Sequence, residues 1–364
     1  MKVVHYQQQL RGRESGTSNA ARGWCEALAR HGIEVIGLFD AADVSRPPPL
    51  GTKTFAIEHS LRGPMRVPRR FSEEVAAADT VVLHGGWLLG NIAVGRACRE
   101  AQVPFVVTSH GVYIREVLAR RSTRKRMWAA AVERRHLMDA AAVHVFFPEE
   151  RASMEEAMRI QRPAIIAPNG IDYPEGAEWT GRGGFLLWLG RFDIVTKGLD
   201  LLASAIESIP AARRPEVRLH GPDWRNEKQR MRDLVRDLGI GDWVSIGDPV
   251  YGEEKWRLIS EAGACIYPSR WDACPVAVSE AAAVGAPTLV TRYPLGNFLA
   301  AHDAALQADP DASSLAEAIP RVLSVESHQL GRAASAVARR YLSWDAVATT
   351  WLDQLRSVIR TDDI

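Results

Sequence analysis

Cysteine is scarce in this 364-residue chain: there are four, and none forms a CxxC or CxxH pair. That spacing encodes no zinc site. Cys25, Cys98, Cys265 and Cys274 are scattered, and read as reduced thiols of a cytoplasmic protein. Long apolar runs are missing as well. No stretch approaches the ~18 residues that a membrane span needs. A secretory signal does not fit the start, where a short apolar run gives way to Gln7, Gln8 and Gln9. The expectation is a cytoplasmic chain whose only membrane contact is peripheral, at the inner face. Net charge is close to absent, +1 overall. A nucleic-acid partner is therefore not expected.

Several motifs are also missing. A dinucleotide site needs GxGxxG straight after the first strand. The first glycine loop here is Gly12-Arg-Glu-Ser-Gly16-Thr17, with the wrong spacing. No GxxxxGK[ST] and no GxSxG occur, which excludes the P-loop and nucleophile-elbow classes.

What is present is an ordinary globular balance, 46% hydrophobic and 24% charged. The length suits two domains. The charges are unevenly spread. Residues 1–170 hold 24 basic and 17 acidic side chains, and residues 171–364 hold 21 and 27. The front half is basic and the back half acidic.

Short apolar runs alternate with amphipathic stretches. Strands are expected at 3–5, 33–39, 80–84, 103–108, 142–147 and 164–167, with helices at 16–31, 89–101 and 123–139. The pattern restarts at 185–189 and continues at 216–220, 243–247, 263–267 and 287–291. The tail, 312–360, reads as helical. Continuous apolar strands between helices mean parallel sheets covered on both faces. Two such runs predict an α/β protein of two doubly wound domains. The Gly- and Pro-rich stretch 172–184 marks the boundary.

Four segments carry candidate chemistry. Gly190-Arg191 ends a strand, and Lys197-Gly198 opens a helix over 199–208. Two cations at a strand's carboxyl end, beside a helix N-terminus, suit a diphosphate. Asp272 and Glu280 have seven residues between them, one in a loop and one on the next helix. Asp272-Ala273-Cys274-Pro275 forms the loop between them. Pro168-Asn169-Gly170-Ile171-Asp172 lies at the domain boundary, and His110-Gly111 follows the strand at 103–108.

Taken in chain order, from His110-Gly111 through Pro168–Asp172 and Gly190-Arg191…Lys197-Gly198 to Asp272 and Glu280, the segments resemble the family 4 glycosyltransferases, which are retaining enzymes of the GT-B fold. The resemblance runs over nearly the whole chain, down to Trp344…Trp351, which looks like the family's last helix crossing back to the first domain. It implies two Rossmann-like domains facing a central cleft: an acceptor-side domain 1–171 completed by a helix at 345–364, and a donor-binding domain 172–344. Arg191 and Lys197 would hold the donor's diphosphate. Glu280 would hold its ribose, and Asp272 would contact the transferred sugar. His110 would sit near the sugar's C6 side. Gly16 and Thr17 would approach from the first domain, and Asn169, Gly190, Ala273, Cys274 and Pro275 would line the donor site. Catalysis would rest on His110, Arg191, Lys197 and Asp272, with no metal and no cofactor, the nucleotide-sugar being a co-substrate. A UDP-sugar is the first expectation and GDP-mannose the second.

The chain departs from the family pattern where Asp272-Ala-Cys-Pro275 replaces Glu-Gly-Phe-Gly, since Pro275 offers no N–H. Tyr293-Pro-Leu-Gly296 likewise replaces a Gly-Gly loop. The acceptor is a sugar, a lipid-linked glycan or a small molecule. The basic stretch 115–135, with interleaved Leu118, Met127 and Trp128, is a candidate contact for an anionic membrane face. The alternatives are a non-catalytic sugar-nucleotide-binding or scaffold subunit, and a GT-B phosphorylase or epimerase.

Overall fold

The computed structural model describes residues 1–10, 16–42, 52–56, 67–119, 127–128, 132–173 and 176–361. The chain divides into two compact units. One is Met1–Gly170 with Trp344–Ile364, the other Ile171–Ser343.

The first unit is built on seven parallel strands: β1 (Lys2–Leu10), β2 (Glu34–Ala42), β3 (Thr52–Ala56), β4 (Thr80–His84), β5 (Phe105–Thr108), β6 (Ala142–Val145) and β7 (Ala164–Ile166). Their order is β3-β2-β1-β4-β5-β6-β7, so the sheet reverses direction of growth between β1 and β4. Successive side chains of a strand leave opposite faces. Val81 and Leu83 accordingly join one core, with Phe71, Leu137 and Met154. Val82 joins the other, with Trp24, Leu28 and the closing helix.

That helix, Trp344–Thr361, packs on Gly16–Arg30. Trp24 is its anchor. The Trp24 ring meets Trp344 edge-on at 5.5 Å, with Trp351 at 5.9 Å. Gly23 and Gly170 leave room for the Trp344 ring, because a Cβ on either would lie within 2.3 Å of it. Gln354 clamps β7 through both backbone groups of Ile166, at 2.8 and 3.0 Å.

The second unit has six parallel strands: β8 (Leu186–Leu189), β9 (Val217–His220), β10 (Val244–Gly247), β11 (Ala264–Tyr267), β12 (Thr288–Val290) and β13 (Leu306–Gln307). Their order is β10-β9-β8-β11-β12-β13. This is the doubly wound order with one switch point, between β8 and β11, where ligands of such sheets bind.

The tail is helical as expected, in successive helices Ala312–Val322, His328–Val337 and Trp344–Thr361. Ser343 is extended and bridges to Ile171, whose N–H donates to the Leu342 carbonyl at 2.8 Å. That pairing pulls the chain out of helix before Trp344. The expected basic helix over 123–139 is described only in part, with Arg134–Asp139 helical. Residues 120–126 and 129–131 lie outside the described residues, as do 12–15 of the first glycine loop. β3 and β13 were not expected. One is polar and the other two residues long, so neither gives a buried-strand signal.

Candidate functional site

In the second unit, β8 runs into Gly190-Arg191. The Gly190 N–H donates to the His220 carbonyl at 3.0 Å. A Cβ on Gly221 would lie 1.6 Å from the Gly190 oxygen, so only glycine lets these two strand ends meet so closely. Arg191 lies over the Trp224 ring at 4.4 Å, with Asp193 at 3.8 Å. Stacking holds the guanidinium plane, and such a group meets anions through its edge.

Asp193 then caps a single turn, Ile194–Lys197, accepting from the Thr196 N–H at 3.2 Å. Gly198 follows in the left-handed region, φ 64°, and opens the helix Leu199–Ser208. A Cβ there would meet the Pro268 carbonyl oxygen at 1.9 Å. The Lys197 turn therefore sits directly against the loop after β11.

Arg270 ties these two loops together. Its guanidinium donates to the Val195 carbonyl at 2.8 Å and to both carboxylate oxygens of Asp200 at 2.7 Å. Its own N–H donates to the Thr196 carbonyl at 3.0 Å. The bidentate pair with Asp200 fixes direction as well as distance. Lys197 reaches Asp272 across the joint, both side chains being about one-fifth exposed. Asp272 also accepts from the Ala273 N–H at 3.0 Å.

Beyond the buried Ala273 and Cys274, Pro275 caps the helix Val276–Val284, which carries Glu280. Glu280 is 7% exposed and paired with Lys255. Burial raises its carboxyl above the usual range, and the Lys255 charge opposes the rise. Asp272 and Glu280 thus each face a lysine of their own. Tyr293 has a buried hydroxyl with no hydrogen-bond partner among the described residues, and burial, with Asp272 and Cys274 nearby, raises it well above the phenol range.

In the first unit, His110 follows β5 at φ 48°, with Gly111 at 73°. Glu150 enforces this turn. Its carboxylate accepts from Ser109 Oγ, from the Gly111 N–H at 3.0 Å and from the Phe146 N–H at 2.7 Å. Behind His110 stand His84 and His5, hydrogen-bonded in line. Asn169, 6% exposed, accepts from the Trp24 indole N–H at 3.2 Å. Gly16 is exposed at the start of its helix, with Thr17 half-buried beside it.

The structure therefore brings Arg191, Lys197, Asp272 and Glu280 to the carboxyl edge of the second sheet. It places His110, Asn169, Gly16 and Thr17 in the first unit. Sequence reading missed Arg270, Lys255, Trp224, Glu150, His5 and His84. Most of their partners lie too far off for spacing to show, as with Asp200, 70 positions before Arg270.

Comparison with known proteins follows this division. Residues 15–170 match the model of the glycosyl transferase 4-like domain, and residues 174–337 that of the glycosyl transferases group 1. The chain belongs to the GT4-like glycosyltransferase family. Mannosylfructose-phosphate synthase of Agrobacterium fabrum is 30% identical over 178 residues, which are 46% of this chain and 39% of that protein. Sucrose-phosphate synthase from Thermosynechococcus elongatus has the same fold, at 20% identity and a TM-score of 0.74 over 99% of both chains. HepE of Anabaena, solved with UDP and glucose, is 14% identical, with a TM-score of 0.75 over 98% of this chain and all of that one. Both are GT-B structures, and this chain has their fold.

Proposed function

We propose that this protein is a retaining, metal-independent hexosyltransferase. It moves a sugar from a nucleotide-sugar, a UDP-sugar first and GDP-mannose second, to a hydroxyl acceptor. The observation that carries the reading is the Lys197–Gly198 turn, locked by Arg270 against the loop of Asp272 at a helix N-terminus. Breaking the glycosyl–phosphate bond builds negative charge on the leaving diphosphate. Cations fixed beforehand stabilise that charge without reorganising. Arg191 and Lys197 take this role. Glu280 holds the ribose, while Asp272 and His110 contact the sugar.

The second unit is the donor side and the first the acceptor side. The positive surplus of residues 1–170 suits an anionic acceptor. A phosphorylated sugar fits that charge, and the names of two relatives include such a product. The basic stretch 115–135 is the segment proposed for an anionic membrane face.

The test is anomeric. The protein is incubated with UDP-glucose or GDP-mannose, a panel of neutral and phosphorylated sugars, and EDTA. Proton NMR follows the new anomeric signal before mutarotation. The expected product keeps the donor's configuration and forms at an undiminished rate in EDTA. An inverted product, or a rate that vanishes with the chelator, contradicts the proposal.

A further inference from the structure

His5 on β1, His84 on β4 and His110 in the turn just after β5 form one hydrogen-bonded row. His5 Nδ1 lies 2.9 Å from His84 Nε2. His84 Nδ1 lies 3.0 Å from His110 Nε2. The rings are roughly aligned, with centroids 5.2 and 5.3 Å apart. His5 and His84 are at most 2% exposed, whereas His110 is partly open at the end of the row. The far end is closed: His5 Nε2 is buried and has no hydrogen-bond partner among the described residues.

We infer that His5 and His84 are positioning residues that fix the tautomer of His110, so that it presents Nδ1–H, a hydrogen-bond donor, to the sugar. A neutral imidazole has one N–H and one acceptor nitrogen. Each of the two contacts needs one proton, so the row has only two consistent arrangements. In the first, every ring carries its proton on Nδ1. His5 donates to His84, His84 donates to His110, and His110 is left with a free Nδ1–H. In the second, every proton sits on Nε2 and His110 shows a bare acceptor.

The two differ at the closed end. The first leaves His5 Nε2 as a buried acceptor without a partner. The second leaves a buried N–H without one. Among buried backbone groups an orphaned N–H is rarer than an under-satisfied acceptor, and the same preference applied to the imidazole selects the first arrangement. The closed end also excludes a proton wire, since a proton entering at His110 has no exit at His5.

His144 stands apart from the row. Its Nε2 faces the Ala167 carbonyl at 2.8 Å, so that nitrogen must carry the proton, and Nδ1 accepts from Thr108 at 3.1 Å. The molecule thus contains an internal reference of the opposite tautomer.

The role for His110 rests on the proposed sugar transfer, but the tautomer does not. The experiment therefore has two arms. In the first, histidine is labelled with nitrogen-15 in the full chain, and long-range proton–nitrogen correlation at neutral pH reads each ring. His5, His84 and His110, assigned by single substitution, should show Nδ1–H, and His144 Nε2–H. An Nε2–H or charged His110 overturns the inference, whatever the enzyme's activity.

In the second arm, His84→Phe should lower kcat/KM roughly 100-fold, the cost of losing one oriented donor. His84→Asn places an amide N–H where Nδ1–H stood and should recover most of that loss. Equal loss in both variants overturns the positioning role. If no donor is turned over while the labelled rings read as expected, the sugar-transfer reading fails and the tautomer assignment stands.

Discussion

Replacing Lys197 with alanine is expected to lower kcat/KM by about 10³-fold or more with the fold unchanged. A single preorganised donor at a developing anion is worth about 10²–10³ in rate. Lys197 adds a full charge, and its loss does further harm. Asp272, now paired with Lys197, is left as a lone carboxylate beside the incoming diphosphate. Two anions repelling in a partly desolvated site weaken binding as well as catalysis. The fold should survive, because the turn is held by Arg270 and Asp193 rather than by the lysine side chain. Steady-state kinetics beside circular dichroism reads both quantities. Adding Asp272→Asn to the alanine variant should return part of the nucleotide affinity, since the repulsion goes. An alanine variant within threefold of wild type removes Lys197 from the chemistry.

The second large effect is on stability. His5, His84 and His144 are at most 2% exposed. Burial, with neighbouring histidines acting on the first two, lowers His5 to about 3, His84 well below its ordinary value and His144 to about 4. Unfolded histidine protonates near 6.5. Below that pH the unfolded chain binds more protons than the folded one, so stability falls as pH falls. It is complete above about 6.5 and declines down to the folded values. Each such group contributes up to about 1.4 kcal/mol per pH unit. Burial raises the carboxyls of Glu150 and Glu280, and these run the other way and offset part of the loss. A net loss on the order of 3 kcal/mol between pH 7 and 5.5 is expected. Urea midpoints at the two values measure it. A midpoint that stays level or rises on acidification means that these histidines are not held neutral.

The strands that sequence makes legible are those buried on both faces. The expectation for 80–84 matches β4, and the helix expected over 199–208 matches residue for residue. Burial on both faces demands a continuous apolar run, and that run is visible in one dimension. β13 escapes because two residues carry no period.

The site divides in the same way. Arg191 and Lys197 are legible because each flanks a glycine, one at the end of β8 and the other at the start of a helix. Arg270 is not, because its meaning lies in Asp200, which only the crossover between β8 and β11 brings near. The histidine row is the extreme case. His5, His84 and His110 are 79 and 26 residues apart, and only the strand order β1-β4-β5 lines them up.

The central claim is that Arg191 and Lys197 bind a nucleoside diphosphate. The most direct measurement titrates UDP, GDP and ADP separately into the protein and follows the unfolding temperature. Ligand at 100 times its Kd adds about 2.7 kcal/mol of stability. A clear rise with one nucleotide, UDP first, is expected, and it disappears in Arg191→Ala. No rise with any of the three, or a rise that Arg191→Ala leaves intact, contradicts the claim.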